Sequence, residues 1–241
     1  MNVKQILIII GLLLIIIYNS SISRIEYFDN NNNKSIPIIL LGDSILNNNS
    51  YVKNGYAVDE LLIKMCSTNP AINIVNYARE DSTISDVYTQ LTHLDDIDYN
   101  LEYIIFLSVG GNNILENYND VNSIIENYKK LIDTIKTKLP GSKLFVLNLY
   151  YTYDVKYVKL NHIVDKWNQL LYNYAAASSL ISGIVDINKL ITSPKDLTFK
   201  IEPSELGGEK IASKIKDIIL AALPSVALAP TTSGIVKYIN F

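Results

Sequence analysis

Ile36-Pro37-Ile38-Ile39-Leu40-Leu41-Gly42-Asp43-Ser44-Ile45 is the stretch that decides the fold. Six residues without a polar side chain read as a strand buried on both faces, the pattern of a parallel sheet. Gly42-Asp43 then punctuates the run and leaves Ser44 at the strand's carboxyl end. Open α/β sheets expose their chemistry at that end. A serine there, followed by loop and helix, is a candidate nucleophile, provided the chain also supplies a base.

Outward from this strand, apolar strands and helical periods alternate. A helix is expected near Ala57–Cys66, a strand over Ile72–Asn76 and a helix near Ser85–Leu94. Tyr103–Val109 reads as a third strand, Val121–Leu139 as a long helix, Lys143–Leu149 as a fourth strand and Lys159–Ala176 as a helix. Gly183–Ile187 gives a short fifth strand and Gly208–Leu223 a last helix. Ile124, Ile125, Tyr128, Leu131, Ile132 and Ile135 recur at the helical period, with lysines opposite. Five strand–helix units predict an α/β fold with a five-stranded parallel sheet covered on both faces.

With 241 residues, 49% of them hydrophobic, the chain can bury one such core. A formal net charge of −3 without a basic stripe argues against a nucleic-acid partner. The single cysteine, Cys66, excludes an intrachain disulfide and sits in an apolar helical stretch. His93, His162 and Cys66 form no ligand cluster, so neither a metal nor another cofactor is expected.

Lys4 precedes thirteen residues, Ile6 to Tyr18, that carry no charge. That length suits a signal-peptide core better than a full span, which needs about 20 residues. Ser21-Ile22-Ser23 offers a small-x-small cleavage pattern. Left uncut, the stretch would serve as a membrane anchor by tilting or by thinning the bilayer. Residues 1–23 therefore read as a signal peptide or an amino-terminal membrane anchor. Both place the domain on the lumenal or exoplasmic side, anchored or secreted. Residues 24–35 hold an Asn-rich linker, residues 36–223 the globular domain, and residues 224–241 an apolar tail without an assigned role.

Blocks rich in polar and small residues follow the strands. Asn76-Tyr77-Ala78-Arg79-Glu80-Asp81 follows the second and Ser108-Val109-Gly110-Gly111-Asn112-Asn113 the third. Tyr150, Tyr151, Tyr153 and Tyr157 follow the fourth, and Ile201-Glu202-Pro203-Ser204-Glu205-Leu206-Gly207-Gly208 opens the last helix. In order and spacing these blocks, with Gly42-Asp43-Ser44, resemble the SGNH (GDSL-type) hydrolase family over about Ile36 to Leu223. No Gly-x-Ser-x-Gly elbow is present, so the chain does not resemble an α/β-hydrolase.

The resemblance implies a flavodoxin-like three-layer α/β/α sandwich and hydrolysis of acyl or acetyl esters on lipids, glycans or small molecules. It makes Ser44 the nucleophile. The Ser44 amide and the Asn112 side chain become oxyanion donors, each typically worth about 3–4 kcal/mol. Asp81 falls where the family carries a glycine whose amide completes the hole; its amide survives, but its carboxylate would repel an oxyanion if it pointed inward. The family's Asp-x-x-His-Pro block is the main departure. Anchored on Pro203, Phe199 stands at the aspartate position and Glu202 at the histidine position.

Glu202 is then the candidate base, which requires burial to raise a carboxyl that ordinarily titrates near 4.3. The alternative role for Glu202 is a helix-start carboxylate, with Ser204 as the cap. His162, a turn into its helix, reads as a surface or packing residue. His93 is expected at the far end of its helix, away from the strand tips, and Asp196 either as a partner of nearby backbone or as an assistant to the site. Tyr150, Tyr151 and Tyr153, with Trp167, are candidates for a substrate groove or a chance cluster among 17 tyrosines. The leading function is a serine ester hydrolase with a non-standard base. The alternatives are an inactive binding module on the same fold and a purely structural surface protein.

Overall fold

The computed structural model of the protein describes residues 35–95, 97–98 and 101–223. Residues 1–34 and 224–241 lie outside the described residues, and with them the amino-terminal apolar segment, nearly all of the linker and the tail. Among the described residues no helix is long and apolar enough to cross a membrane.

Five parallel strands form the central sheet: β1 (Ile36–Gly42), β2 (Ile72–Asn76), β3 (Ile104–Ser108), β4 (Lys143–Leu147) and β5 (Gly183–Val185). Their spatial order is β2-β1-β3-β4-β5, the flavodoxin-like order. β1 is central although it contains proline. Its pairing with β3 begins only at Ile38↔Ile104, so the missing N–H of Pro37 falls before the ladder it would interrupt.

Helices α1 (Val58–Cys66), α2 (Ile84–Gln90), α3 (Gly111–Asn117), α4 (Val121–Lys138), α5 (Asn161–Ala177) and α6 (Glu205–Ala222) cover the sheet. The chain steps one way from β1 to β2 and then reverses through β3, β4 and β5. Right-handed crossovers therefore put α1 on one face and the later crossover helices on the other. In keeping with this, α1 packs against α6, and α4 against α2 and α5. α4 buries the seven residues Val121, Ile124, Ile125, Tyr128, Leu131, Ile132 and Ile135, the periodic stripe of its sequence. Each of the aliphatic side chains among them stabilises the fold by roughly 1.5–3 kcal/mol on burial. Asp120 caps this helix by accepting from the Ser123 N–H.

Two elements were not expected from the sequence. α3 begins inside the Gly-Asn block after β3, which reads as loop by composition. Residues 197–203 form a hairpin of two short antiparallel strands, β6 (Leu197–Thr198) and β7 (Glu202–Pro203). The expected second helix also divides, into α2 and a 3-10 turn over Leu91–Leu94.

Candidate active site

The reversal of strand direction between β1 and β3 opens a crevice at their carboxyl ends, where this topology places ligands. Gly42 ends β1 at φ 125°, a conformation that side chains avoid. The Gln90 side-chain amide clamps it on both sides, accepting from the Gly42 N–H at 2.7 Å and donating to its carbonyl at 2.8 Å. The next residue builds the turn that carries Ser44. The Asp43 N–H donates to the Ser108 carbonyl at 2.9 Å, and the Asp43 carbonyl accepts from Leu46 and Asn47 at 3.1 and 3.2 Å. Its carboxylate accepts from the Ser108 hydroxyl at 2.9 Å and from the Ile45 N–H at 3.2 Å. Ser44 rides on this turn, buried, with its side chain in the crevice.

Across the crevice, the 197–203 hairpin presents Glu202. Three hydrogen bonds to its backbone hold it. The Thr152 hydroxyl donates to the Lys200 carbonyl at 3.0 Å, the Tyr150 phenol to the Ile201 carbonyl at 2.7 Å, and Asn48 to the Pro203 carbonyl at 2.9 Å. Glu202 is 9% exposed. Burial raises its carboxyl above the ordinary value, and the negative charges of Asp81 and Glu80 push the same way. The Ser44 hydroxyl interacts with this carboxylate and opposes the rise. The helix-start role falls instead to Ser204, whose hydroxyl accepts from the Gly207 N–H at 3.2 Å.

Asn112, the second residue of α3, donates one amide hydrogen to the Ser82 carbonyl at 3.0 Å and lines the crevice beside Ser44. Its other amide hydrogen remains for a ligand. Asp81 occupies the left-handed region at φ 57°, which explains why a glycine suits that position. Its carboxylate is exposed and does not line the crevice, although its charge reaches Glu202. Among the described residues, no hydrogen bond engages the Ser44 or Asp81 backbone N–H.

The crevice encloses about 650 Å³, open mouth included. Ile45, Ile114, Leu149, Leu160, Val164 and Ile201 give it an apolar wall around Ser44, Asn112 and Glu202. Among the described residues, no lysine, arginine or histidine lines it. Among the described residues, no group of three or more His, Cys, Asp or Glu side chains is arranged to hold a metal ion.

The sequence profile of the GDSL-like Lipase/Acylhydrolase family matches residues 38–202, more than half of the chain. The chain belongs to that family. Membership makes it an ester-hydrolysing enzyme. The fold agrees with solved structures of low sequence identity. A member of the lipolytic protein G-D-S-L family from Veillonella parvula DSM 2008 superposes with a TM-score of 0.63 at 20% identity, covering 77% of this chain and 99% of that one. A family 3 carbohydrate esterase from Clostridium thermocellum gives 0.57 at 22% identity over 78% and 98%. The lipase/acylhydrolase from Enterococcus faecalis gives 0.60 at 18% identity over 78% and 97%. A comparison with curated protein sequences finds no match.

In this GDSL-like hydrolase the remaining candidate side chains separate. Tyr150 lines the crevice, and so does Tyr157. Tyr151 and Tyr153 do not; the Tyr151 phenol donates to Asp165 and Tyr153 is exposed. Trp167 is fully buried under Gly110 and packs edge-on against Tyr128, with ring centroids 5.3 Å apart. His162 is exposed and outside the crevice. His93 lies nearer the strand tips than its sequence position suggests, stacked on Tyr77 with centroids 5.0 Å apart. The short α2 stays near those tips, as the Gln90–Gly42 clamp requires. Asp196 binds the Thr192 and Ser193 N–H groups and the Lys210 ammonium.

Three contributors to the site were missed from sequence: Gln90, Asn48 and Asp43 as a buried carboxyl. Each acts through partners 48, 155 and 65 positions away, respectively, so no local pattern marks it.

Proposed function

We propose that this hydrolase cleaves carboxylic esters with an apolar acyl group, using Ser44 as nucleophile and Glu202 as base. The observation that carries this reading is the facing of the Ser44 hydroxyl and the buried, raised Glu202 carboxyl across one crevice. A carboxyl raised above its ordinary value is a better proton acceptor than an ordinary one. Ser44 Oγ bonds to the ester carbonyl carbon as its proton passes to Glu202, and the carbonyl π pair moves onto oxygen. The Ser44 and Asp81 amides and the free Asn112 hydrogen are the donors available to that oxyanion. Collapse breaks the bond to the alcohol, which takes the proton from Glu202. Water then attacks the acyl-enzyme by the same route, its proton passing through Glu202 to the Ser44 oxygen.

The apolar wall supports an acyl chain rather than a bare acetyl group, since each buried methylene contributes about 0.8 kcal/mol. The apolar amino-terminal segment supports a site of action at or beyond a membrane, on its lumenal or exoplasmic side.

A fluorophosphonate probe tests the nucleophile. The purified chain is expected to gain one covalent adduct, lost in Ser44→Ala, and absence of labelling from acidic to alkaline pH would leave a binding module instead. Glu202→Gln is expected to lower kcat on p-nitrophenyl esters by roughly 10²–10⁴-fold. An unchanged kcat would remove Glu202 from the base role. Rising kcat/KM from acetyl to longer acyl esters is the expected sign of chain binding; a preference for acetyl contradicts it.

A further inference from the structure

Two carboxyl groups share the crevice, and the reaction described above uses one. Asp43 is 2% exposed and lines the crevice beside Ser44, where the charge of Glu202 reaches it. One of its oxygens is committed to the Ser108 hydroxyl and the Ile45 N–H. Among the described residues, its neighbourhood otherwise holds groups that oppose its charge or are neutral: Glu202 from β7, and the phenols of Tyr128 on α4 and Tyr150 after β4, both of which feel its charge. Glu202 in turn faces Asp81 and Glu80 from the segment after β2, and the phenols of Tyr51 and Tyr150. With no cation lining the crevice, two ionised carboxylates there are uncompensated.

We propose that Asp43 and Glu202 act as an acid–carboxylate pair around Ser44, in which Asp43 keeps a proton while Glu202 serves as base, so that the enzyme works only within a bounded pH window. The proposal rests on the Glu202 reading for its acidic edge, but its alkaline edge belongs to Asp43 alone. The singly ionised pair is the working state. The diacid has no base for the Ser44 proton. The dianion sets a second negative charge beside the developing oxyanion, in a site where charges are weakly screened. Asp43 exchanges no proton with substrate; it remains an acid while the Ser44 proton moves to Glu202 and on to the leaving oxygen. Burial, assisted by the negative charge of Glu202, moves the Asp43 carboxyl up to about 7. A serine–histidine hydrolase keeps or gains activity as the solution turns alkaline, because its base stays neutral there. This enzyme is expected to lose it.

The test is the pH profile of kcat/KM on a short p-nitrophenyl ester for the full chain and three variants. The wild type is expected to give a bell whose alkaline limb falls by roughly tenfold or more between about pH 7 and pH 9. Asp43→Asn imitates the protonated acid and can still accept from Ser108 and Ile45, so its profile should hold level over that range. Ser108→Ala removes a hydrogen bond that favours the Asp43 anion and should move the limb to higher pH. A wild-type profile level through about pH 9, or a limb unmoved in both variants, overturns the proposal. Glu202→Gln separates the two readings: it should remove the acidic limb, and unimpaired activity there defeats the base assignment while leaving the alkaline limb to be read. Should turnover be too slow to follow, infrared spectroscopy reads the acid directly. A protonated-carboxyl band lost near neutral pH and missing from Asp43→Asn is expected; its absence at mildly acidic pH overturns the proposal.

Discussion

A Cβ on residue 42 would sit 1.7 Å from the Ser108 carbonyl oxygen, a distance no packing adjustment accommodates. The clash is with backbone of the neighbouring central strand, and φ 125° adds strain for any side chain. Gly42→Ala should therefore part β1 from β3 at the point where Ser44 is carried. The expected cost is at least about 3 kcal/mol, read as a fall in the urea midpoint together with loss of fluorophosphonate labelling. Full labelling at unchanged stability would contradict this account of the turn. The same residue shows what sequence reading reaches and what it does not. Gly42 and Ser44 were legible because a glycine and a serine end an apolar run. The Gln90 amide that clamps Gly42 was not, because nothing local distinguishes it from any other helical glutamine. Asp43 was quoted with its neighbours, yet its burial follows from the closeness of β3, which only the fold supplies.

At the scale of elements, the sheet and five of its helices were legible because each carries an apolar run or a helical period of apolar residues. α3 was not, since Gly111-Asn112-Asn113 has poor helix propensity and forms a helix only where β3 delivers it to the carboxyl end of the sheet. The 197–203 hairpin was hidden for a related reason. Its three-residue turn holds Phe199 at φ 42° and Lys200 at φ 78°, both left-handed, a region that glycine and asparagine ordinarily occupy. Two non-glycine residues in that region carry strain of roughly 1–2 kcal/mol each, sustained by the three hydrogen bonds that hold Lys200, Ile201 and Pro203. The hairpin is thus a loaded support for Glu202, and Phe199, 68% exposed, covers Tyr51 with its ring 5.6 Å away. Lys200→Gly keeps the carbonyl that Thr152 binds and removes the side-chain strain. It should raise stability by about 0.5–1 kcal/mol after the greater freedom of glycine in the unfolded chain is subtracted. Lys200→Val, β-branched at a left-handed position, should lower it. Thermal melts of the pair decide the matter: equal midpoints would mean that the turn is unstrained.

For the molecule as a whole, the buried acids set how stability responds to pH, and two groups act in opposite directions. Asp43 and Glu202 are both raised by burial, Asp43 to about 7. An acid raised in the folded state binds its proton more tightly there than in the unfolded chain. Its contribution is therefore complete below the unfolded value, near 3.9, and is lost as pH climbs through the folded value. For Asp43 this is on the order of 4 kcal/mol, a sizeable part of the 5–15 kcal/mol of a typical domain. Asp196 behaves oppositely. Burial alone would raise it, but the Lys210 ammonium at 2.7 Å and the Thr192 and Ser193 N–H groups hold it below the ordinary range. Asp186, facing Lys189 and Asn148, is lowered as well. Stability from these two is present above the unfolded value and fails as pH drops through the folded one. The sum is greatest in mildly acidic solution and declines toward both sides. Between about pH 5 and pH 8.5 the melting temperature should fall by on the order of 10 °C. In Asp43→Asn the fall should be much shallower, with only Glu202 left to drive it. A wild-type midpoint that rises over that interval would show that Asp43 is ionised in the folded protein, and would remove the physical basis for a proton held beside Ser44.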